Sequence, residues 1–463
     1  MSISQHSKCL SITNIVKKYK DDTVQLEFHL NNGETESILW YRCERKFEQY
    51  LCDDRCDTVV ASLLLSAMKC GYDTIKSDFP ISRKLYYNLT YHVIPQLYSI
   101  GNQRISRIKI DVPTTDIVYH GSMVATGMSR GVDSFATMFE YGKNFELEEY
   151  RINTFTYFQA GAHHGYDSTV GRSSESKQEL YENQMIQTKN FCQKYNYPLI
   201  VVDSNVDIIL SKSGMFKEKS FNRTHTLRNL GIVMLFQKGI SRYYYSSAYT
   251  LNDFKASIST DMAHYEKWLI PLLSTGSVEF YQSNQDWTRM DKVEKLSQFE
   301  ECYDDLQVCL VKSGNCGVCV KCKRTLIELD SLGEDVLDKF QNSFDLETYK
   351  REHRKKWFES LIEDKDKPDT EAPFYDEAFI NALKYHPELI GDLIKVKQDG
   401  VKSVKITGIK VNIREFPSLK SNILFVGKKD DVFPYHGECG AWVGIELADG
   451  TQAFVKKDFT RLM

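Results

Sequence analysis

The stretch VYHGSMVATGMSRGVDSFAT, residues 118–137, decides how the chain is read. An apolar run closes on Gly127. Behind it Ser129, Gly131, Asp133 and Ser134 crowd together, and Phe135–Tyr141 has the pattern of a helix. Small residues at a strand-to-helix turn let backbone N–H groups converge on an anion, with the helix N-terminus behind them. The same residue types also favour an ordinary turn. Asp133 is an unusual neighbour for a phosphate. It serves either to cap the helix or to help place Mg²⁺. The stretch carries neither GxxxxGK[ST] nor GxGxxG, which excludes two common phosphate-loop patterns.

Outward from the turn, residues 119–330 repeat strand, turn and helix. INTFTYFQAGAHHG (152–165) is a strand and its loop, Ser174–Tyr195 a polar helix, and YPLIVVDSN (197–205) a strand closing on Asp203 and Asn205. RNLGIVMLFQKG (228–239) is a helix and SRYYYSSAY (241–249) another strand. Strands alternating with helices predict crossover connections and a parallel sheet, with ligands at the carboxyl ends of its strands. That edge gathers Gly127–Ser134, His163–Tyr166 and Asp203–Asn205. His163 and His164 read as ligand contacts or as a polar loop. Asp203 and Asn205 read as ribose or substrate contacts or as helix caps, and His225 is left undecided. Tyr243–Tyr245 reads as a buried aromatic strand.

Residues 1–118 predict a small α+β unit with strands TVQLEFHL and ESILWY. Residues 331–398 are a charged helical linker region, in which His353–Lys356 reads as a solvated face. Residues 399–463 hold short β-rich runs between Gly, Pro and Asp, the pattern of a small β-barrel. The fold class expected is therefore α/β, with a parallel-sheet core, an N-terminal α+β domain and a C-terminal barrel.

The cysteines carry the second signal. VCLVKSGNCGVCVKCKRTL (308–326) places Cys309, Cys316, Cys319 and Cys322 at spacings that close a four-thiolate site. Such a set fits structural Zn²⁺, with an iron–sulfur cluster as the other chemistry Cys₄ serves. Lys312, Lys321, Lys323 and Arg324 would offset the thiolate charge. Cys302 reads as an ordinary buried thiol.

Composition bounds the rest. The 463 residues exceed one ordinary domain. A net charge of −4 gives no general electrostatic case for nucleic acid. MSISQHSKCL lacks the pattern of a signal peptide, and VVASLLLSAM (59–68) falls far short of a membrane span. Twelve cysteines then predict reduced thiols in a cytoplasm.

SRGVDS (129–134) resembles the SGGxDS signature of the PP-loop ATP pyrophosphatases, with Arg130 where that signature has glycine. An arginine there either adds a charge-assisted bond to phosphate or blocks the loop. A PP-loop followed by a CGxCxxC knuckle resembles the 7-cyano-7-deazaguanine synthase family. So do Arg228-Asn229 in THTLRNLG and the pair PLLST (271–275) and DKVEKL (291–296). The resemblance covers roughly 119–330. VNIREFPS (411–418), Trp442 and ADGTQAFVKKDF (448–459) resemble the bacterial SH3-like domain, in which Arg414 and Trp442 read as packing residues.

The resemblance implies ATP over Gly127, Ser129, Arg130, Gly131, Val132, Asp133 and Ser134, with Asp203 and Asn229 also binding nucleotide. It assigns catalysis to Asp133, Lys292 and Arg228, with Mg²⁺ and Zn²⁺ as metals. The implied reaction adenylates a 7-carboxy-7-deazaguanine-like acid and then forms an amide or nitrile. In this longer chain the acceptor could be an amine of a partner protein reached through the N-terminal and SH3-like modules, in the antiviral context where some larger relatives are encoded. The rivals are a tRNA-modifying PP-loop enzyme and a non-catalytic nucleotide-binding scaffold.

Overall fold

Strands β1 (Cys9–Lys20), β2 (Thr23–Asn31) and β3 (Glu36–Glu44) form an antiparallel meander. They open a computed structural model that describes residues 7–162, 177–216, 221–309, 311–367, 372–394 and 402–463. β2 buries Val24, Leu26, Phe28 and Leu30 on the alternate positions that a half-covered strand requires. β4 (Thr74–Ser77) runs parallel to β1. β5 (Ile81–Ser82) makes a separate two-stranded pair with β7 (Thr114–Thr115), while β6 (Lys109–Asp111) extends the edge beside β4.

Five parallel strands follow: β8 (Met123–Gly127), β9 (Thr154–Phe158), β10 (Leu199–Ser204), β11 (Ile240–Ser246) and β12 (Glu279–Ser283). Their order is β12-β11-β8-β9-β10, and β10 pairs antiparallel with β3. The meander and the parallel strands are thus one mixed, mostly parallel sheet of ten strands. They also share one core, in which Val60 and Leu64 of the helix Asp57–Lys69 join Leu230 and Val233 of the helix His225–Met234. The N-terminal α+β unit expected to stand alone is therefore continuous with the sheet that carries the turn.

Two compact units emerge from the contacts. One comprises residues up to Thr288 with 310–313, the other Arg289–Cys309 and 314–463. The second unit holds the helices Arg289–Leu296, Val320–Asp330, Arg354–Asp364 and Ala372–Tyr385. It also holds a seven-stranded antiparallel sheet: β13 (Ser403–Ile406), β14 (Lys410–Arg414), β15 (Ile423–Lys428), β16 (Val432–Cys439), β17 (Trp442–Glu446), β18 (Gln452–Lys456) and β19 (Thr460–Leu462). Its order is β15-β14-β18-β17-β16-β13-β19. Trp442 is buried, with Nε1 donating to Asp366 Oδ1 at 3.2 Å. Arg414 Nη1 donates to Ser421 O at 2.6 Å. Both are packing residues.

Candidate functional site

β8 is the strand at which the order of the parallel sheet reverses. The chain runs from β8 to β9 and β10 on one side, then returns to place β11 on the other. A crevice forms at the carboxyl end of such a strand, and that is where open α/β sheets bind ligands. The turn Met128–Gly131 stands there, directly ahead of the helix Val132–Tyr141.

The turn is pinned at both ends. Met128 N donates to Thr156 O of β9 at 2.9 Å, and Ser134 Oγ donates to Gly131 O at 2.9 Å. Arg130 has φ +60°, in the left-handed region where glycine is at ease. Its buried side chain is held by the helix Lys177–Lys194, with Nη2 donating to Gln187 Oε1. Gly131 is the N-cap. Asp133 stands one residue inside the helix, so it is not the capping residue, and a carboxylate in the first turn suits the helix dipole. Ser129 is exposed, Asp133 half-buried and Ser134 buried beside Val132. Thr137 on the same helix meets Ser246 Oγ at 2.9 Å and Ser283 Oγ at 2.7 Å, which ties the helix to the ends of β11 and β12.

The helix His225–Met234 carries Arg228 and Asn229. Arg228 is almost wholly buried. Its Nη1 donates to Asp207 Oδ1 at 2.6 Å and to Ala160 O, just past β9, at 3.1 Å. Asn229 Nδ2 donates to Tyr245 Oη at 3.2 Å. His225 bridges Tyr245 Oη (2.8 Å) and Asp261 Oδ1 (3.0 Å). Burial works against ionisation of Asp261, but His225 holds its carboxyl below the usual range. Glu266, which accepts from Thr226 and Gln282, is pushed up by burial, as is the Tyr245 phenol. Tyr243 and Tyr244 are core residues as expected, whereas Tyr245 belongs to this polar chain. Sequence reading missed Asp207, Asp261 and Glu266, which sit at no recognisable spacing.

Asp203 and Asn205 have other duties. Asp203 accepts from Arg42 Nη2 at 3.0 Å and from Tyr181 Oη at 2.9 Å. Asn205 Oδ1 accepts from Trp40 N at 2.8 Å, and its Nδ2 donates to Ile38 O at 2.7 Å. Both fasten β3 to β10, and the Asn205 side chain makes no helix-cap bond. Lys292 is buried on the helix Arg289–Leu296 of the second unit. His163, His164 and Tyr166 lie outside the described residues.

The four cysteines converge. Their sulfurs all lie within 4.8 Å of one another, with Cys316–Cys322 and Cys309–Cys319 each 3.9 Å apart. Tetrahedral zinc with Zn–S bonds of ~2.3 Å needs sulfurs ~3.8 Å apart, so the donor set and its size fit Zn²⁺. Gly317, at φ +76°, turns the knuckle so that Cys319 N donates to Cys316 Sγ at 3.2 Å. Cys319 caps the helix Val320–Asp330, whose first turn carries Cys322. Asn315, which sequence reading passed over, locks Cys309 to the knuckle. Its Oδ1 accepts from Val308 N and Cys309 N, and its Nδ2 donates to Leu306 O and Ser343 O. Lys323 is turned to Asp364 at 2.9 Å, not to the thiolates. Cys302 stands apart, buried, with its thiol donating to Phe299 O at 3.0 Å.

No protein-family model, curated protein or solved structure matches the chain.

Proposed function

We propose that the chain is an ATP-dependent enzyme of the PP-loop type that adenylates a carboxylate and passes the acyl group to nitrogen. The observation that carries this reading is the turn at 128–131. It has a left-handed residue, one exposed hydroxyl and a helix N-terminus at the carboxyl end of the strand where the sheet order reverses. Arg130 stands in the left-handed region where glycine is at ease, and Gln187 holds its guanidinium, which supports an arginine in the place where the PP-loop signature has glycine.

In this reading ATP binds over Gly127–Ser134, with the exposed Ser129 hydroxyl as an added donor and Ser134 bracing the turn through Gly131 O. Mg²⁺ bound with ATP supplies charge neutralisation, and Asp133 is the oxygen donor of the turn. The carboxylate attacks the α-phosphorus and pyrophosphate leaves, giving an acyl-adenylate. A nitrogen nucleophile then attacks the acyl carbon and AMP departs. The protein's contribution is positioning and charge stabilisation. The acid is 7-carboxy-7-deazaguanine or a close analogue, the nitrogen is ammonia or an amine of a partner protein, and the Cys₄ zinc is structural.

Incubation of the protein with Mg-ATP and 7-carboxy-7-deazaguanine is expected to release pyrophosphate, and Asp133→Ala is expected to abolish the release. Silence from the wild-type protein, together with no heat of ATP binding, would leave the scaffold reading in its place.

A further inference from the structure

We infer that Asp261, His225 and Tyr245 form a proton relay for the second half of this reaction, the attack of nitrogen on the acyl-adenylate. The inference rests on the adenylation reading. A carboxylate only accepts, so the 3.0 Å contact with Asp261 puts the imidazole hydrogen on Nε2 and leaves Nδ1 to accept from Tyr245 at 2.8 Å. Tyr245 Oη accepts in turn from Asn229 Nδ2. Every member of the chain then has one consistent role, and Ala263 N fixes Asp261 by donating to its Oδ1 at 3.0 Å.

The chain also has a direction. The Asp261 side chain is 30 % exposed and that of His225 13 %, so its outer end meets water. Its inner end lies on β11, where Tyr244 pairs with Thr126 of β8. Tyr245 is the next residue of β11, and Gly127, where the turn begins, is the next residue of β8. Asn229, expected to touch nucleotide, bonds the same hydroxyl. Glu266 also faces His225, and His264 faces Asp261. A hydrogen-bonded line from a partly exposed carboxylate to a hydroxyl on the strand beside β8 is what a step that must shed a proton requires.

In that step a C–N bond forms between the nucleophile and the acyl carbon, and the C–O bond to phosphate breaks as AMP leaves with its electron pair. The proton lost from nitrogen passes to Tyr245 Oη as the Tyr245 proton moves to His225 Nδ1. His225 releases its Nε2 proton through Asp261 to solvent. Adenylation itself transfers no proton along this line.

The two halves can be read separately. Exchange of labelled pyrophosphate into ATP, with the acid present, reports adenylation, and amide formation from ammonium chloride reports transfer. Tyr245→Phe, which keeps the ring, and His225→Gln are expected to lower amide formation ~10²-fold while exchange changes far less. Hydroxylamine, largely unprotonated at neutral pH, should still be acylated by both variants. Added imidazole should restore part of the transfer lost in His225→Ala. Exchange and transfer falling together, or transfer unaffected, would overturn the relay. A wild-type protein without exchange would instead overturn the adenylation reading, and the relay with it.

Discussion

The guanidinium of Arg130 donates to Gln187 on the helix Lys177–Lys194, while the backbone of the same arginine stands at φ +60°. The two facts belong together. The left-handed residue of the turn is an arginine, and the helix holds its buried side chain.

A left-handed backbone costs a non-glycine residue about 1–2 kcal/mol, so Arg130→Gly relieves strain as it loses a buried contact. The two effects roughly offset, and thermal denaturation should find the variant within about 1 kcal/mol of the parent. Arg130→Val keeps the strain, worsens it by β-branching and fills less space. It should be less stable than Arg130→Gly by about 2 kcal/mol. Equal stability of the two would mean that the turn does not need its left-handed residue.

Arg228 and Asp207 form an ion pair beside Ala160 and Gly161, just past β9. Arg228→Ala removes a buried cation and the donor to Ala160 O, which should cost about 3 kcal/mol. Nη1 alone serves both acceptors, so Arg228→Lys keeps a cation there but loses the planar, pre-set direction of its two N–H groups, and should fall between. Gly161→Ala approaches the pair from the other side. Its backbone is at φ +107°, and a Cβ there would lie 2.6 Å from Asp207 Oδ1 and 2.7 Å from Arg228 Nη1. Urea denaturation should show the glycine variant losing about as much stability as Arg228→Lys, with no contact to any ligand involved.

What the sequence revealed follows from where its signals are local. The strands from β8 to β11, the turn and the cysteine knuckle rest on residues a few positions apart, and a fixed spacing exposes them. β1 was hidden although it is long, because a bulge between Ile12 and Asn14 breaks its alternation. The joining of the meander to the parallel strands was hidden too. It depends on Arg42 meeting Asp203 and on Trp40 meeting Asn205, pairs that have no sequence proximity. Asp203 read as a ligand residue because it ends a strand on the right edge, yet its carboxylate is used to fasten a neighbour. The Asp261–His225–Tyr245 line was illegible for the same reason. Of the run His353–Lys356, Lys355 and Lys356 are exposed as expected, whereas Arg354 turns inward to Asp330.

Zinc should be measurable at one ion per chain by elemental analysis, and each of Cys309→Ser, Cys316→Ser, Cys319→Ser and Cys322→Ser should lose it. Cys302→Ser should keep it, because that thiol is bonded to Phe299 O. Asn315→Ala leaves all four ligands but frees the Cys309 segment, and outer-shell losses of this kind weaken metal binding ~10–100-fold. Competition with a chromogenic chelator reads that difference directly. A chelator strong enough to strip the wild type should also reduce helical circular dichroism, since Cys319 and Cys322 anchor the start of the helix Val320–Asp330.

His386 gives the second unit a pH dependence of predictable sign. Its buried ring has Nε2 2.6 Å from Asp330 O and 3.2 Å from Asp330 Oδ1, and Nδ1 lies 3.2 Å from Glu388. Burial alone would lower its pKa, but Asp330 more than reverses that and holds it above 6.5. A raised histidine contributes its full stabilisation below the unfolded pKa and loses it as pH rises through the folded one. Denaturation of the zinc-loaded protein should therefore show this unit less stable at pH 8.5 than at pH 6.0, with His386→Gln flattening the difference. Zinc–thiolate binding strengthens over the same interval, because thiols must lose protons to bind, so the metal site cannot produce the loss. Asp330 cannot produce it either. Arg354 and Tyr349 also bond its carboxylate, and its pKa is held below 3.8, so it is ionised throughout the interval.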